Sequence, residues 1–152
     1  MLISPLRRAL QTAYLVFKDH QNFQSIKFIV HPMLRENMHT VCDIPENFLD
    51  VKNDYEGKIP QLDYSLMKRQ ENDWYIHQLQ EPVRSRLLER VARRSHTEKE
   101  VLLEEILSTY PDRVESALNT HQRVESFKSY LSDYLQKVET PTIEDESGPS
   151  LP

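Results

Sequence analysis

Glycine is nearly missing from this chain: Gly57 and Gly148 are the only two in 152 residues, where ordinary usage of about 7% would place about eleven. Glycine-rich phosphate loops, dinucleotide-binding fingerprints and nucleophile elbows each need several glycines at fixed spacing, either for positive φ or for close approach of backbone to ligand. All three are excluded. Cysteine occurs once, at Cys42, which excludes an internal disulfide and any C-x-x-C zinc or redox site. No apolar run approaches the roughly 20 residues of a membrane span. Unopposed basic charge is lacking as well. The net charge of -5 argues against a nucleic-acid or anionic-membrane surface, which needs clustered Lys and Arg. The run Arg84, Arg86, Arg90, Arg93 and Arg94 is interleaved with Glu81 and Glu89. It reads first as a solvated helix face, with an anion patch as the alternative.

What is present describes one globular domain: 38% hydrophobic and 28% charged residues, with no internal repeat and no sustained heptad pattern. A cytoplasmic location is expected. The first 18 residues, with Arg7, Arg8 and Lys18 and no acid, also fit a mitochondrial presequence.

The start of the chain carries the strongest signal. Leu2-Ile3 is an apolar stub, and Ser4-Pro5 reads as a helix start, with Ser4 as cap and Pro5 at the first helical position. Leu6, Ala9, Leu10, Ala13, Val16 and Phe17 then recur at helical spacing and predict one buried face. A helix N-terminus with an adjacent guanidinium favours an anion, through free N–H groups, the helix dipole and a planar donor fork. Ser4 and Arg8 are therefore candidate phosphate-binding residues, the bland reading of Arg8 being an exposed helix arginine. Gln11 and Thr12 either turn toward the same place or support packing.

Ile26 to Val30 reads as a strand buried on both faces, as in a parallel sheet, and Pro32 ends it. The stretch from Pro32 to Pro60, with its prolines, Asn, Asp and Gly57, predicts an irregular loop with a turn near Asp54 to Lys58. A helix is expected over Leu66 to Gln80, with Trp74-Tyr75 as core, and another after Pro82 with Val83, Leu87, Leu88 and Val91 inward. Ser95 and Glu98 form a capping box before Val101, Leu102, Ile106 and Leu107, and Pro111-Asp112 restarts the chain. Asn119-Thr120 predicts a break before a last amphipathic helix on Val124, Phe127, Leu131, Tyr134, Leu135 and Val138, with Tyr130 and Tyr134 at its boundary. Residues 1-138 thus make the domain. Residues 139-152, with Pro141, Pro149 and the acidic run Glu144, Asp145 and Glu146, make a disordered tail. His31, His39, Cys42 and Asp43 are the one cluster of metal-capable residues, but their spacing fits no standard zinc pattern, so neither a metal nor another cofactor is expected.

Several of these segments resemble one family. Ser4-Pro5-Leu6-Arg7-Arg8-Ala9-Leu10-Gln11-Thr12-Ala13 is similar to the S-P-L-x-R-A-x-Q-T-A segment of the histidine phosphatase superfamily, which includes the phosphoglycerate mutases. Leu34-Arg35-Glu36 after a strand resembles its L-R-E segment, and Cys42-Asp43 the C-D pair that follows it in the phosphoglycerate-mutase-like branch. Arg123-Val124, Phe127 and Tyr130-Leu131 resemble the R-V-x-x-F-L helix before the last catalytic strand. The resemblance implies a phosphoglycerate mutase-like three-layer α/β fold, here truncated and mostly helical, with a small parallel sheet of strands near 1-3 and 26-31. Such enzymes transfer or hydrolyse phosphoryl groups through a phosphohistidine, combining covalent catalysis, electrostatic stabilisation and a general acid. Carried over by position, Arg8 is a phosphate ligand and Glu36 the general acid, and the expected partner is a phosphorylated small molecule.

The departure is equally specific. None of the six histidines is followed by glycine, so neither the R-H-G motif of the nucleophile nor the second S-H-G signature is present. The expectation is an incomplete member, inactive on its own and marginally stable, with an exposed hydrophobic sheet edge that a protein partner would cover. The alternative is a non-catalytic helical binding or assembly module on the same scaffold.

Overall fold

The computed structural model describes residues 1-38, 41-68, 74-79, 81-93 and 115-139. Its centre is a β-α-β unit. Strand β1 (Leu2–Ile3) leads into helix α1 (Arg7–Phe17), and the chain returns as β2 (Phe28–Val30), parallel to β1 with Leu2 opposite Ile29 and Ile3 opposite Val30. Ile29 N–H donates to the Met1 carbonyl at 2.8 Å and His31 N–H to the Ile3 carbonyl at 2.9 Å. A third parallel strand, β3 (Leu62–Asp63), lies on the other side of β2, giving the order β1-β2-β3. The architecture is a small mixed α/β domain.

All three residues of β2 are buried, as expected of the central strand of a parallel sheet. α1 covers it with Leu10 and Ala13, and Phe17 and Phe23 set their rings edge-on to Phe28 at 5.8 and 6.1 Å. The strand is shorter than Ile26 to Val30, because Ile26 closes a 3₁₀ turn at Phe23–Ser25. Nor does Ser4 cap the helix directly. Leu6 is the capping residue, the helix begins at Arg7, and the Ser4 hydroxyl accepts the Leu6 N–H at 3.3 Å in the turn before it. Val16, expected inward, is exposed.

Two elements correct the sequence expectation. The stretch from Pro32 to Pro60, where the composition predicts an irregular loop, holds helix α2 (Phe48–Glu56), capped by Asn47, whose side chain accepts the Leu49 N–H at 2.9 Å, and burying Phe48, Val51 and Tyr55. Strand β3 was not foreseen. Within Leu66 to Gln80, the described residues form no α-helix. Ile76–Gln78 is a 3₁₀ turn, although Trp74, Tyr75, Ile76 and Leu79 are buried as core. Helix α3 (Val83–Ala92) follows with Leu87 and Val91 buried and Val83 and Leu88 packed against the core.

The last helix, α4 (Ala117–Glu139), runs through Asn119 and Thr120 without a break. Both residues fall in its first turn, where short polar side chains are well accommodated. The Ser116 hydroxyl accepts the Asn119 N–H at 3.2 Å, and Thr120 N–H donates to the Ser116 carbonyl at 3.0 Å. α4 touches the body along one narrow stripe, with Phe127, Leu131 and Tyr134 half-buried, so Val124, Leu135 and Val138 stay exposed rather than inward. It also includes Glu139, where the tail was expected to begin. The Ser95–Glu98 capping box, the restart at Pro111-Asp112 and the rest of the tail lie outside the described residues.

Candidate functional site

In a parallel sheet the chain leaves neighbouring strands at the same rim, and such rims are where ligands gather. Here β1 runs out into Ser4 and the first turn of α1. β2 runs out into His31, a 3₁₀ turn at Pro32–Leu34, then Arg35 and Glu36. This brings two of the three candidate residues together. Arg8 Nη2 donates to Glu36 Oε2 at 2.9 Å, and Arg8 Nη1 donates to the Cys42 carbonyl at 3.1 Å. The pair is open to solvent, with side chains 50% and 59% exposed. An ion pair of this kind contributes about 0–1 kcal/mol and is readily exchanged. Ser4, Arg8 and Thr12 line one shallow concavity of about 420 Å³ between β1 and α1. The Thr12 hydroxyl donates back to the Arg8 carbonyl at 2.9 Å, a packing bond within the helix. On the other side of Arg8, Gln11 and Cys42 line a smaller one of about 160 Å³.

The neighbouring Arg7 is already committed. It donates to Glu46 at 2.7 Å and to Asp54, and those carboxylates, Asp54 foremost, hold its guanidinium above its ordinary value. Arg8 is thus the arginine of this turn that an arriving anion meets through a single exchangeable carboxylate. A guanidinium and a carboxyl in reach of one another are elements of phosphate holding and proton donation.

Behind this rim lies a buried network that sequence reasoning missed. Arg35 makes two parallel bonds to Glu115 at 2.8 and 3.0 Å, and adds the Glu36 carbonyl and the Gln78 side chain at 2.9 Å each. Arg123 of α4 donates to Glu115 at 3.1 Å, to the Met33 and Arg35 carbonyls at 2.8 Å, and to Asn37 at 2.6 Å. Burial opposes ionisation of Glu115, but hydrogen bonds from Arg35 and Arg123 outweigh it, so its carboxyl titrates below the usual range. Burial also pulls Arg35 down from its ordinary value against the pull of Glu115, yet a guanidinium stays protonated throughout. Arg35 and Arg123 both sat within the quoted motifs, but no spacing rule pointed to Glu115 as their partner.

Of the metal-capable residues, His31 is held elsewhere by its own contacts. His31 is buried against Phe127 and Tyr130 at 5.1 and 4.5 Å, and its Nδ1 accepts the Met33 N–H at 3.2 Å. Burial lowers its pKa below the ordinary histidine value, which favours the neutral ring at pH 7. Cys42 is an exposed free thiol, and His39 lies outside the described residues. Among the described residues no group of three or more His, Cys, Asp or Glu side chains is placed to hold a metal ion, and no helix is long and apolar enough to cross a membrane. The basic run of α3 is partly paired, Arg84 with Glu81 at 2.7 Å and Arg93 with Glu89, in keeping with a solvated face.

No protein-family model, curated protein or solved structure matches the chain.

Proposed function

We propose that this chain carries the phosphate-holding and proton-donating part of a histidine-phosphatase-type site on a reduced phosphoglycerate mutase-like fold. Alone, it binds phosphate or a phosphorylated small molecule without turning it over. The observation that carries this reading is the 2.9 Å contact between Arg8 and Glu36 at the carboxyl ends of β1 and β2. Two residues singled out by separate motifs, 28 positions apart, meet where a phosphoryl group would sit. In such chemistry the arginine stabilises the transferring phosphoryl and the carboxyl protonates the leaving oxygen, while attack on phosphorus needs a nucleophile. The chain has no R-H-G histidine for that step.

The test is phosphorus NMR titration of the chain with inorganic phosphate, beside an assay of p-nitrophenyl phosphate hydrolysis. Saturable phosphate binding that is lost in Arg8→Ala, with no hydrolysis in either protein, is the expected result. Equal binding by the two proteins, or hydrolysis that depends on Arg8, sinks the reading.

A second reading, a non-catalytic assembly module, has its own support. Among the described residues β1 is an edge strand, and the shallow concavity beside it is floored by Leu2, Ile3 and Ala13, with Val16 63% and Leu15 58% exposed nearby. A protein partner covering that edge fits this surface. Light scattering on the purified chain separates the two: a defined oligomer favours assembly, and a phosphate-binding monomer favours the first reading. A cytoplasmic location goes with both. α1 buries Leu10 and Ala13 in the core, which favours it over a cleaved mitochondrial presequence.

A further inference from the structure

A second concavity, also about 420 Å³, opens at the carboxyl ends of β2 and β3 and shares no lining residue with those beside Arg8. Its size falls within the range of about 300–1,000 Å³ typical of small-molecule sites. The walls are apolar and aromatic: Met33 after β2, Leu66 and Met67 after β3, Trp74, and Tyr130 reaching over from α4. Met67 and Trp74 are also part of the hydrophobic core, so these walls are anchored from behind.

Several polar groups on these walls are donors, beside His77 and the Tyr130 hydroxyl. Lys68 stands at the concavity, exposed. Lys18, Lys27 and Lys128 pair with Asp19, Asp63 and Glu125, and Lys52 and Lys58 lie over the rings of Tyr64 and Tyr55. Lys68 has no such partner among the described residues. Gln78 has its side-chain oxygen taken by Arg35 at 2.9 Å, which leaves its amide N–H₂ as a donor. His31 accepts the Met33 N–H at Nδ1, which puts the ring proton on Nε2 as a donor. The buried Trp74 indole N–H has no acceptor among the described residues. No carboxylate is found among the described lining residues.

From this we propose a second binding site, between the ends of β2 and β3 and helix α4, for a small organic acid with an apolar or aromatic body and a single anionic group. The body packs on Met33, Leu66, Met67 and Tyr130, and the anion meets Lys68. A neutral apolar molecule would leave the ammonium uncompensated, and a cation would be repelled by it.

The readout is built in, because Trp74 is the only tryptophan of the chain and lines the site. Indole fluorescence is followed during titration with 8-anilinonaphthalene-1-sulfonate and with its uncharged counterpart, N-phenyl-1-naphthylamine, on the full chain and on Lys68→Met. The expected result is saturable, one-to-one quenching by the sulfonate. Its affinity falls at least tenfold in Lys68→Met, while the neutral probe binds both proteins alike and more weakly than the sulfonate binds the native chain. Non-saturable quenching by both probes overturns the site. An unchanged sulfonate affinity in Lys68→Met, or an equal loss for both probes, overturns the anionic class. Arg8→Ala should leave this titration unchanged, so failure here is distinguishable from failure of the phosphate reading.

Discussion

Arg35 and Glu115 are paired by two parallel hydrogen bonds across a separation of 80 residues, and both side chains are 1% exposed. The pair joins the rim that follows β2 to the segment entering α4, and Arg123 locks the same carboxylate from the helix itself. Breaking such a pair on one side strands a charge in the interior, which costs about 3–5 kcal/mol. Glu115→Ala is therefore expected to lose stability of that order in urea denaturation, and Glu115→Gln somewhat less. A change below about 1 kcal/mol would remove the pair from the list of interactions that hold α4 in place.

The same carboxyl sets an acid limit. Its folded pKa lies below the unfolded value, so its contribution is fully present above the ordinary glutamate range near pH 4.5 and is lost as pH falls through the lower folded value. Thermal melts between pH 6 and pH 3 should show stability falling below about pH 4.5. Glu115→Gln should flatten that fall, and an identical acid limb in the variant would place its cause elsewhere.

Tyr64 sets an alkaline limit of opposite sign. Burial, with a smaller push from Glu56, raises its phenol to about 12, and its hydroxyl is buried without a hydrogen-bond partner among the described residues. Between the unfolded value near 10 and about 12 the unfolded chain gives up this proton while the folded chain holds it, so stability falls as pH rises through that window. Tyr64→Phe removes the unsatisfied hydroxyl while keeping the edge-on contact with Phe48 at 5.6 Å. It should stabilise the chain by about 1 kcal/mol at pH 7 and soften the alkaline fall. A destabilised variant would indicate that the hydroxyl is satisfied in solution.

Glu36 competes for the guanidinium that phosphate would use. Replacing it by glutamine removes the charge and keeps the shape. Glu36→Gln is expected to tighten inorganic phosphate binding by up to about fivefold, in line with an exposed ion pair, whereas Arg8→Ala abolishes it. Weaker binding in Glu36→Gln would mean that the carboxyl assists phosphate holding instead of opposing it.

The open face of α1 should govern self-association. Val16→Lys changes a residue that is 63% exposed, so monomer stability should move by less than about 0.5 kcal/mol. Light scattering at rising concentration should show less association than the native chain. Unchanged association would clear the β1 edge as its source.

Legibility in the sequence followed the range of the interaction. α1 and α3 were readable because several apolar residues recur at helical spacing, and Leu10, Ala13, Leu87 and Val91 are indeed buried. β2 was readable because a β-branched, apolar run has few other places to go. α2 was not: three core residues among prolines, Asn and Asp resemble a loop, and the Asn47 cap was the signal passed over. β3 has two residues, too few for any pattern, and exists because β2 offers an unpaired edge to the chain leaving Ile59. In α4, Asn119 and Thr120 carry the composition of a break, whereas the Thr120 hydroxyl donates to Asn37, 83 positions away, which no local pattern announces.

By itself, then, the sequence determined the β-α-β start, the inward faces of α1 and α3, and the identity of Ser4, Arg8 and Glu36 as residues to examine. It also excluded glycine-rich phosphate loops and an internal disulfide by composition. Tertiary structure decided which of those residues meet. Arg8 finds Glu36, while Ser4 serves the turn into α1 and lines the concavity without a bond to either. It also decided that Arg35, Glu115 and Arg123 form a buried network, that Val16, Leu135 and Val138 stay exposed, and that a donor-rich concavity opens beside Lys68. The reason is physical. Helical periodicity and turn chemistry act between neighbours and are written in local spacing, whereas a charged side chain prefers water until the fold places a partner against it. That placement depends on residues tens of positions away.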